Sequence, residues 1–340
     1  MTTSAPESED LARTEPAIVA AATPSANFRL RIASEILALA YISIIAATAN
    51  LTGAFYVMFP ELGALAYDVL TRPRGRWCNA PVHLATTPAL TGVIGIVITR
   101  SLPYGLPSIA ATVAGALVVM LGLGSPIAPS ISAGLLPLTV DVESWWYPPG
   151  VLFGSVLLTG ISVLWKPFLL SRGYRAIPND EGSHPHSLVA HPRALDWIVS
   201  LFGFVAVAAG AAYLTGHRFV LFPPLVVIGY EMMRHPSQCP WAHRAARLPM
   251  VCFIAAVAGL LFHHLVGVNP LGAALSMACG IGAMRALDVH LPPALAVALL
   301  PMVMDTPTVA YPVAVAFGTT LLALWFAAFR WFLLRHAPAH

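Results

Sequence analysis

Apolar residues run through this chain in long unbroken blocks, such as 198–214 and 251–266, without alternation of polar and apolar positions. Such blocks predict helices, and an outer-membrane barrel, which needs alternation, is excluded. Six blocks lie near 33–52, 55–70, 84–99, 105–123, 128–140 and 148–170. Six more lie near 195–214, 219–233, 248–265, 270–287, 291–304 and 311–331. A spanning helix takes about 20 apolar residues. The fifth and eleventh blocks, about 14 residues long, therefore read as half-helices or broken helices.

The blocks repeat. FPELGALAYDVLTRP (59–73) and FPPLVVIGYEMMRHP (222–236) share Phe, Pro, Leu, Tyr and Pro at an offset of 163, with Asp68 aligned to Glu231. LLPLTVDVESWWYPPGVLFGSVLL (135–158) and LLPMVMDTPTVAYPVAVAFGTTLL (299–322) agree at an offset of 164, where Pro137 meets Pro301, Asp141 meets Asp305 and Tyr147 meets Tyr311. A nearly constant register over that distance is the mark of an internal duplication. The expected architecture is an all-α polytopic membrane protein of about twelve helical segments in two parallel six-segment repeats, with short broken helices. The divisions are a disordered cytoplasmic tail (1–27), a first membrane repeat (28–171), a cytoplasmic linker (172–192), a second membrane repeat (193–334) and a C-terminal tail (335–340).

Composition agrees. Of 340 residues 58% are hydrophobic and 10% charged, against roughly 25% charged in soluble domains, and the mean hydropathy is +0.76. A soluble domain has no interior that could hide so much apolar surface, and disorder, coiled coil and nucleic-acid binding are excluded by the same figures. The net charge of +3 says little, but its placement says more. With strictly alternating spans and a cytoplasmic N-terminus, 16 of the 18 Lys and Arg fall on the cytoplasmic side, leaving Arg100 and Arg218 outside. That bias predicts a multi-pass protein of the inner (plasma) membrane with both termini cytoplasmic. The four cysteines form no metal-ligand spacing and read as small buried or interfacial residues.

Candidate chemistry lies where apolar blocks carry breaks or charges. The short blocks begin at Pro129 and at Pro292–Pro293. Their helix starts would present backbone N–H groups to an anion, with Ser125, Ser130 and Ser132 as further donors in the first half and His290 in the second. Matched breaks in two halves are the best sequence pointer to a transport site. Acids inside apolar spans are functional candidates. Asp141 and Asp305 also read as residues of the external interface, and Asp68 and Glu231 as local ion pairs with Arg72 and with Arg234–His235. Glu61 has no acidic counterpart, because Pro224 holds its matching place. Glu35 and Asp196 read as acids at helix starts. Tyr67 and Tyr230 are matched aromatics, and Trp145–Trp146 read as an interfacial belt. His263 and His264 lack a third ligand, so no metal and no cofactor is expected. No nucleotide-binding loop, nucleophile elbow or zincin motif occurs, so no enzyme is expected.

FPELGALAYDVLTRPRGRWCNAP (59–81) with SPIAPSISAGLLPL (125–138), and FPPLVVIGYEMMRHP (222–236) with HLPPALAVALLP (290–301), resemble the HPP family of bacterial and plastid integral membrane proteins. That family's motif is a contiguous His-Pro-Pro, whereas this chain has His290-Leu291-Pro292-Pro293 in one half and Pro126 and Pro129 without the histidine in the other. The resemblance implies an all-helical membrane protein, with nitrite transport known for some plastid and cyanobacterial members, and carries over His290, Pro292 and Pro293, with Pro126 and Pro129.

The expected function is a membrane transporter or channel for a small inorganic anion, nitrite or nitrate. The expected substrate-binding residues are Tyr67, Pro126, Pro129, Ser130, Ser132, Asp141, Tyr230, His290, Pro292, Pro293 and Asp305. The partners are the lipid bilayer and the anion, without nucleic acid, and a homo-oligomer stays open. The alternatives are a membrane scaffold or assembly protein without transport, and an intramembrane enzyme.

Overall fold

The computed structural model describes residues 23–175 and 192–336. The tail before residue 23, most of the expected linker (176–191) and the last four residues lie outside the described residues. All regular structure among the described residues is helical. The helices are α1 (Pro24–Thr52), α2 (Glu61–Thr71), α3 (Pro81–Ser101), α4 (Leu106–Gly122), α5 (Ser130–Thr139) and α6 (Tyr147–Ser171). They continue with α7 (Ala194–Thr215), α8 (Pro223–Arg234), α9 (Leu248–Val266), α10 (Pro270–Ala286), α11 (Pro293–Leu299) and α12 (Ala310–His336).

Proline and glycine punctuate them. Proline occupies the first turn of α1, α3, α4, α6, α8, α9, α10 and α11, where its missing N–H is not needed. α1 and α7 stop at Gly53 and Gly216, both left-handed with φ of 68° and 71°. α1 starts at Pro24, so residues 24–27 belong to a helix rather than to the tail, and Glu35 sits three turns into it instead of at its start.

Length then sorts the helices. At about 1.5 Å per residue, a helix of 20 residues crosses the roughly 30 Å hydrocarbon layer. Helices α1, α3, α6, α7, α12 and α9 with its preceding 3-10 turn are long and apolar enough to do so. The chain is a multi-pass membrane protein by this measure. Helices α2, α5, α8 and α11 have 11, 10, 12 and 7 residues. Four helices are therefore half-length, where the sequence singled out two. Pro60 and the 3-10 turn at Phe55–Val57 delay α2, Pro73 ends it, and Pro223 and Pro236 bracket α8.

These four short helices form the centre. Every residue of α2, α5 and α11, and all of α8 except Arg234, is buried, the acids Glu61, Asp68 and Glu231 included. α2 packs on α11, α5 on α8, and α8 on α11, while the long helices enclose them. Leu51, Leu164 and Leu214 point outward from the long helices and are exposed, as side chains facing lipid would be. Trp145 and Trp146 are exposed at one end.

Positions 164 residues apart repeat their contacts. Tyr147 donates to the carbonyl of Ala133 at 2.8 Å, and Tyr311 to that of Val297 at 2.7 Å. A Cβ on Gly95 would run into the carbonyl oxygen of Gly134, and one on Gly259 into that of Ala298. At both places backbone meets backbone, which small residues permit in membrane helices. One end of the bundle joins Asn27 to Arg175, Tyr174 to Thr71, Lys166 to Asn79 and Glu35 to Arg285. The other joins Arg100 to Glu143 and Arg218 to Asp141.

Candidate functional site

The ends of α2 and α8 meet the start of α11 at the first of these bundle ends. α2 must stop before Pro73, which places Asp68 one turn from its end. α8 stops before Pro236, which places Glu231 likewise. α11 begins on Pro292 and Pro293, so His290 precedes it. Asp68, Glu231 and His290 are 3%, 5% and 8% exposed, which makes them buried polar groups that need partners.

Asp68 has two. Its Oδ1 accepts from Nη1 of Arg72 at 2.8 Å and lies 3.2 Å from Nε2 of His290. The local pairing expected from sequence is present for Asp68. Glu231 departs from it. Its Oε2 lies 3.5 Å from Nη1 of Arg76, which comes from the loop after α2, and not on Arg234. Arg234 instead reaches the hydroxyl of Tyr230 and lies over the Trp197 ring at 5.2 Å. The reason is geometric: Trp197 of α7 holds the Arg234 guanidinium by its π face, leaving Glu231 to the loop that packs against α8.

Asp68, Arg72, Arg76, Trp77, Glu231 and Trp241 line a cavity of about 50 Å³. That is room for a few waters or one small ion. Two buried atoms of its lining have no hydrogen-bond partner: Oε1 of Glu231, an acceptor, and Nε1 of Trp241, a donor. Arg76 is 44% exposed and forms the side open to solvent. Burial pushes the Cys239 thiol, in the loop after α8, well above the usual range, which keeps it a neutral neighbour.

Another buried acid lies deeper. Glu61, at the first turn of α2, is 1% exposed. Its Oε1 receives the Ser132 hydroxyl of α5, and its Oε2 has no partner. No ion pair reaches it among the described residues. The α2 dipole offers a first-turn carboxylate at most ~2 kcal/mol, less than the several kcal/mol that removing an unpaired charge from water costs.

The expected site residues thus separate. The Tyr67 and His290 rings lie tilted to each other with centroids 5.7 Å apart, and Tyr230 sits beside Arg234, both next to the cavity. Ser132 joins Glu61. Pro129, Ser130, Pro292 and Pro293 are packed inside the bundle, and the stretches 127–139 and 289–302 are buried without a gap. Pro126 is half-buried. Asp141 and Asp305 are exposed; Asp141 pairs with Arg218 at 2.5 Å, at the opposite end. The structure does not bring the starts of α5 and α11 to one open anion site. α11 is only two turns long, and both starts lie under the long helices. The sequence marks Glu61 only as an acid without a counterpart, and marks neither Arg76 nor Trp241 as a site residue. Glu61 carried a signal, an acid in an apolar block; the other two gain meaning only from the cavity.

Asp196 accepts from the backbone N–H of Arg193 at 3.2 Å, a helix-start role as expected. Glu35 instead joins Arg31 and Arg285. His263 and His264 contact each other, and no group of three metal-ligating side chains occurs among the described residues. Comparison with protein-family models, curated proteins and solved structures finds no match to this chain.

Proposed function

We propose that this chain is a transporter of a small inorganic anion, with nitrite and nitrate the first candidates, set in the inner membrane and related to the HPP proteins. The carrying observation is the cavity between the ends of α2 and α8 and the loops that follow them. There the unpartnered N–H of Trp241 shares the lining with Arg72 and Arg76, whose guanidinium groups pair with Asp68 and Glu231. An anion of three or four heavy atoms fits that volume, accepts from Trp241 and Arg76, and sits on helices too short to cross the bilayer. Broken helices packed at a repeat interface are where transporters bind substrate.

The finer architecture belongs to the same proposal: two homologous halves, α1–α6 and α7–α12, facing the same way. The matched contacts at offset 164, the reciprocal packing of α2 on α11 and α5 on α8, and the meeting of α1 with α10 and α4 with α7 support it. The bundle end that carries Arg72, Arg76, Lys166, Arg234 and Arg285 is then the cytoplasmic one by its positive charge, with the cavity at its mouth. The free oxygen of Glu231 gives coupling a place. A proton there turns an opposing charge into a donor, so anion and proton favour each other's binding.

The test is uptake of labelled nitrite and nitrate by proteoliposomes holding the full chain. Uptake above that of empty liposomes, lowered in Trp241→Phe and Arg76→Gln but kept in Asp141→Asn, supports the reading. Uptake equal to that of empty liposomes for both anions overturns it.

A further inference from the structure

We propose that Glu61 is a proton-binding residue of the bundle interior, neutral in the state described here, whose proton leaves and returns as the protein works. Four observations on one side chain carry this. It is buried at the centre of the four short helices. One oxygen holds the Ser132 hydroxyl. The other oxygen has no partner. No cation is paired with it among the described residues.

The groups packed around α2 bear this out. α6 packs on α2 and carries the buried Tyr147, and the buried Tyr311 of α12 is its counterpart 164 residues on. Both are phenols already donating to backbone carbonyls. α1 brings Tyr41, whose hydroxyl is bound to the carbonyl of Gly154 at 2.9 Å. α11 contributes only apolar side chains along its length, and its preceding His290 faces Asp68. A carboxylate here has one hydroxyl donor and no counter-charge, so the unpartnered Oε2 is the place for a proton.

Glu61 and Asp68 are seven residues apart on one helix, about 10 Å along its axis. Glu61 therefore lies inward from the cavity that Asp68 helps to line. Release breaks the Oε2–H bond and passes H⁺ to a water molecule admitted beside α2. The carboxylate left behind keeps the Ser132 hydroxyl as donor and lies at the N-terminal end of the α2 dipole, which moderates its charge. Reprotonation reverses the step. As the coupling site of anion movement this role rests on the transport reading; as a buried protonated acid it does not.

The experiment has two arms on the full chain in lipid vesicles. Infrared difference spectra across pH should contain a protonated-carboxyl C=O band that is missing in Glu61→Gln and moved in Ser132→Ala. In proteoliposomes, wild-type nitrite accumulation should follow an imposed pH gradient, and Glu61→Gln should lose that accumulation while keeping nitrite exchange. An infrared band unchanged in Glu61→Gln overturns the proposal, as does gradient-driven accumulation equal to wild type in that variant. A band lost in Glu61→Gln, with neither nitrite nor nitrate uptake by the wild type, upholds the proton site and overturns the transport reading.

Discussion

His290 places its Nε2 3.2 Å from Oδ1 of Asp68, joining the start of α11 to the end of α2 across 222 residues of sequence. The contact closes a buried cluster in which Asp68 also holds Arg72. Breaking a buried pair leaves a charge without compensation and costs about 3–5 kcal/mol, whereas an exposed pair contributes about 0–1 kcal/mol. Asp68→Asn should therefore lower the thermal midpoint of the purified protein markedly. Asp141→Asn, which removes a pair 68% and 43% exposed on its two sides, should leave it nearly unchanged. Equal midpoints for the two variants would remove the distinction between the two ends.

Trp241 should report directly on the cavity. Of the eight tryptophans, it is the one with an unpartnered buried indole N–H on the cavity wall. Titrating nitrate or nitrite should produce a saturable change in tryptophan emission that shrinks in Trp241→Phe to what Trp77 of the same lining reports. A change of wild-type size in that variant would place the anion elsewhere.

The close helix approaches at Gly95 and Gly259 should tolerate no side chain. Each meets a carbonyl oxygen of a short central helix, and backbone cannot yield as the tip of a side chain can. Overpacking of a core costs typically 1–3 kcal/mol and more where backbone is struck. Gly95→Leu and Gly259→Leu should both reduce the folded monodisperse fraction in gel filtration. Gly160→Ala, where nothing lies within 4 Å, should behave as wild type.

Tyr104, in the loop between α3 and α4, gives a pH prediction. Burial raises its phenol to about 12, outweighing the Arg218 guanidinium, which lowers it and lies 4.6 Å from the ring centroid. The unfolded value is about 10, so the folded protein holds this proton more tightly. Its contribution to stability is whole below pH ~10 and is lost as pH rises through about 12. A tyrosinate absorbance titration should contain a late step that is smaller by one tyrosine in Tyr104→Phe. A titration identical in the two proteins would show that the loop does not shelter this ring.

Much of the fold was legible before the structure. The central parts of all twelve blocks became helices, because apolar runs bounded by proline and glycine carry local information that needs no tertiary partner. The position of Asp68 one turn before Arg72 also forecast their pairing, since i,i+4 neighbours on a helix meet wherever the helix packs. The half-length of α2 and α8 was less visible, because the apolar residues before Pro60 and Pro223 extend the hydrophobic block without extending the helix.

The chain's own pattern decided that it is a bundle of apolar helices with matched breaks and matched acids, because burial in lipid and proline geometry act over a few residues. Only tertiary structure decided which charges meet. Glu231 went to Arg76 rather than to nearby Arg234, His290 crossed to Asp68, and Glu61 was left with Ser132 and one bare oxygen. Those partners are set by how α2, α5, α8 and α11 pack together, and close packing between distant segments leaves no periodic trace in sequence.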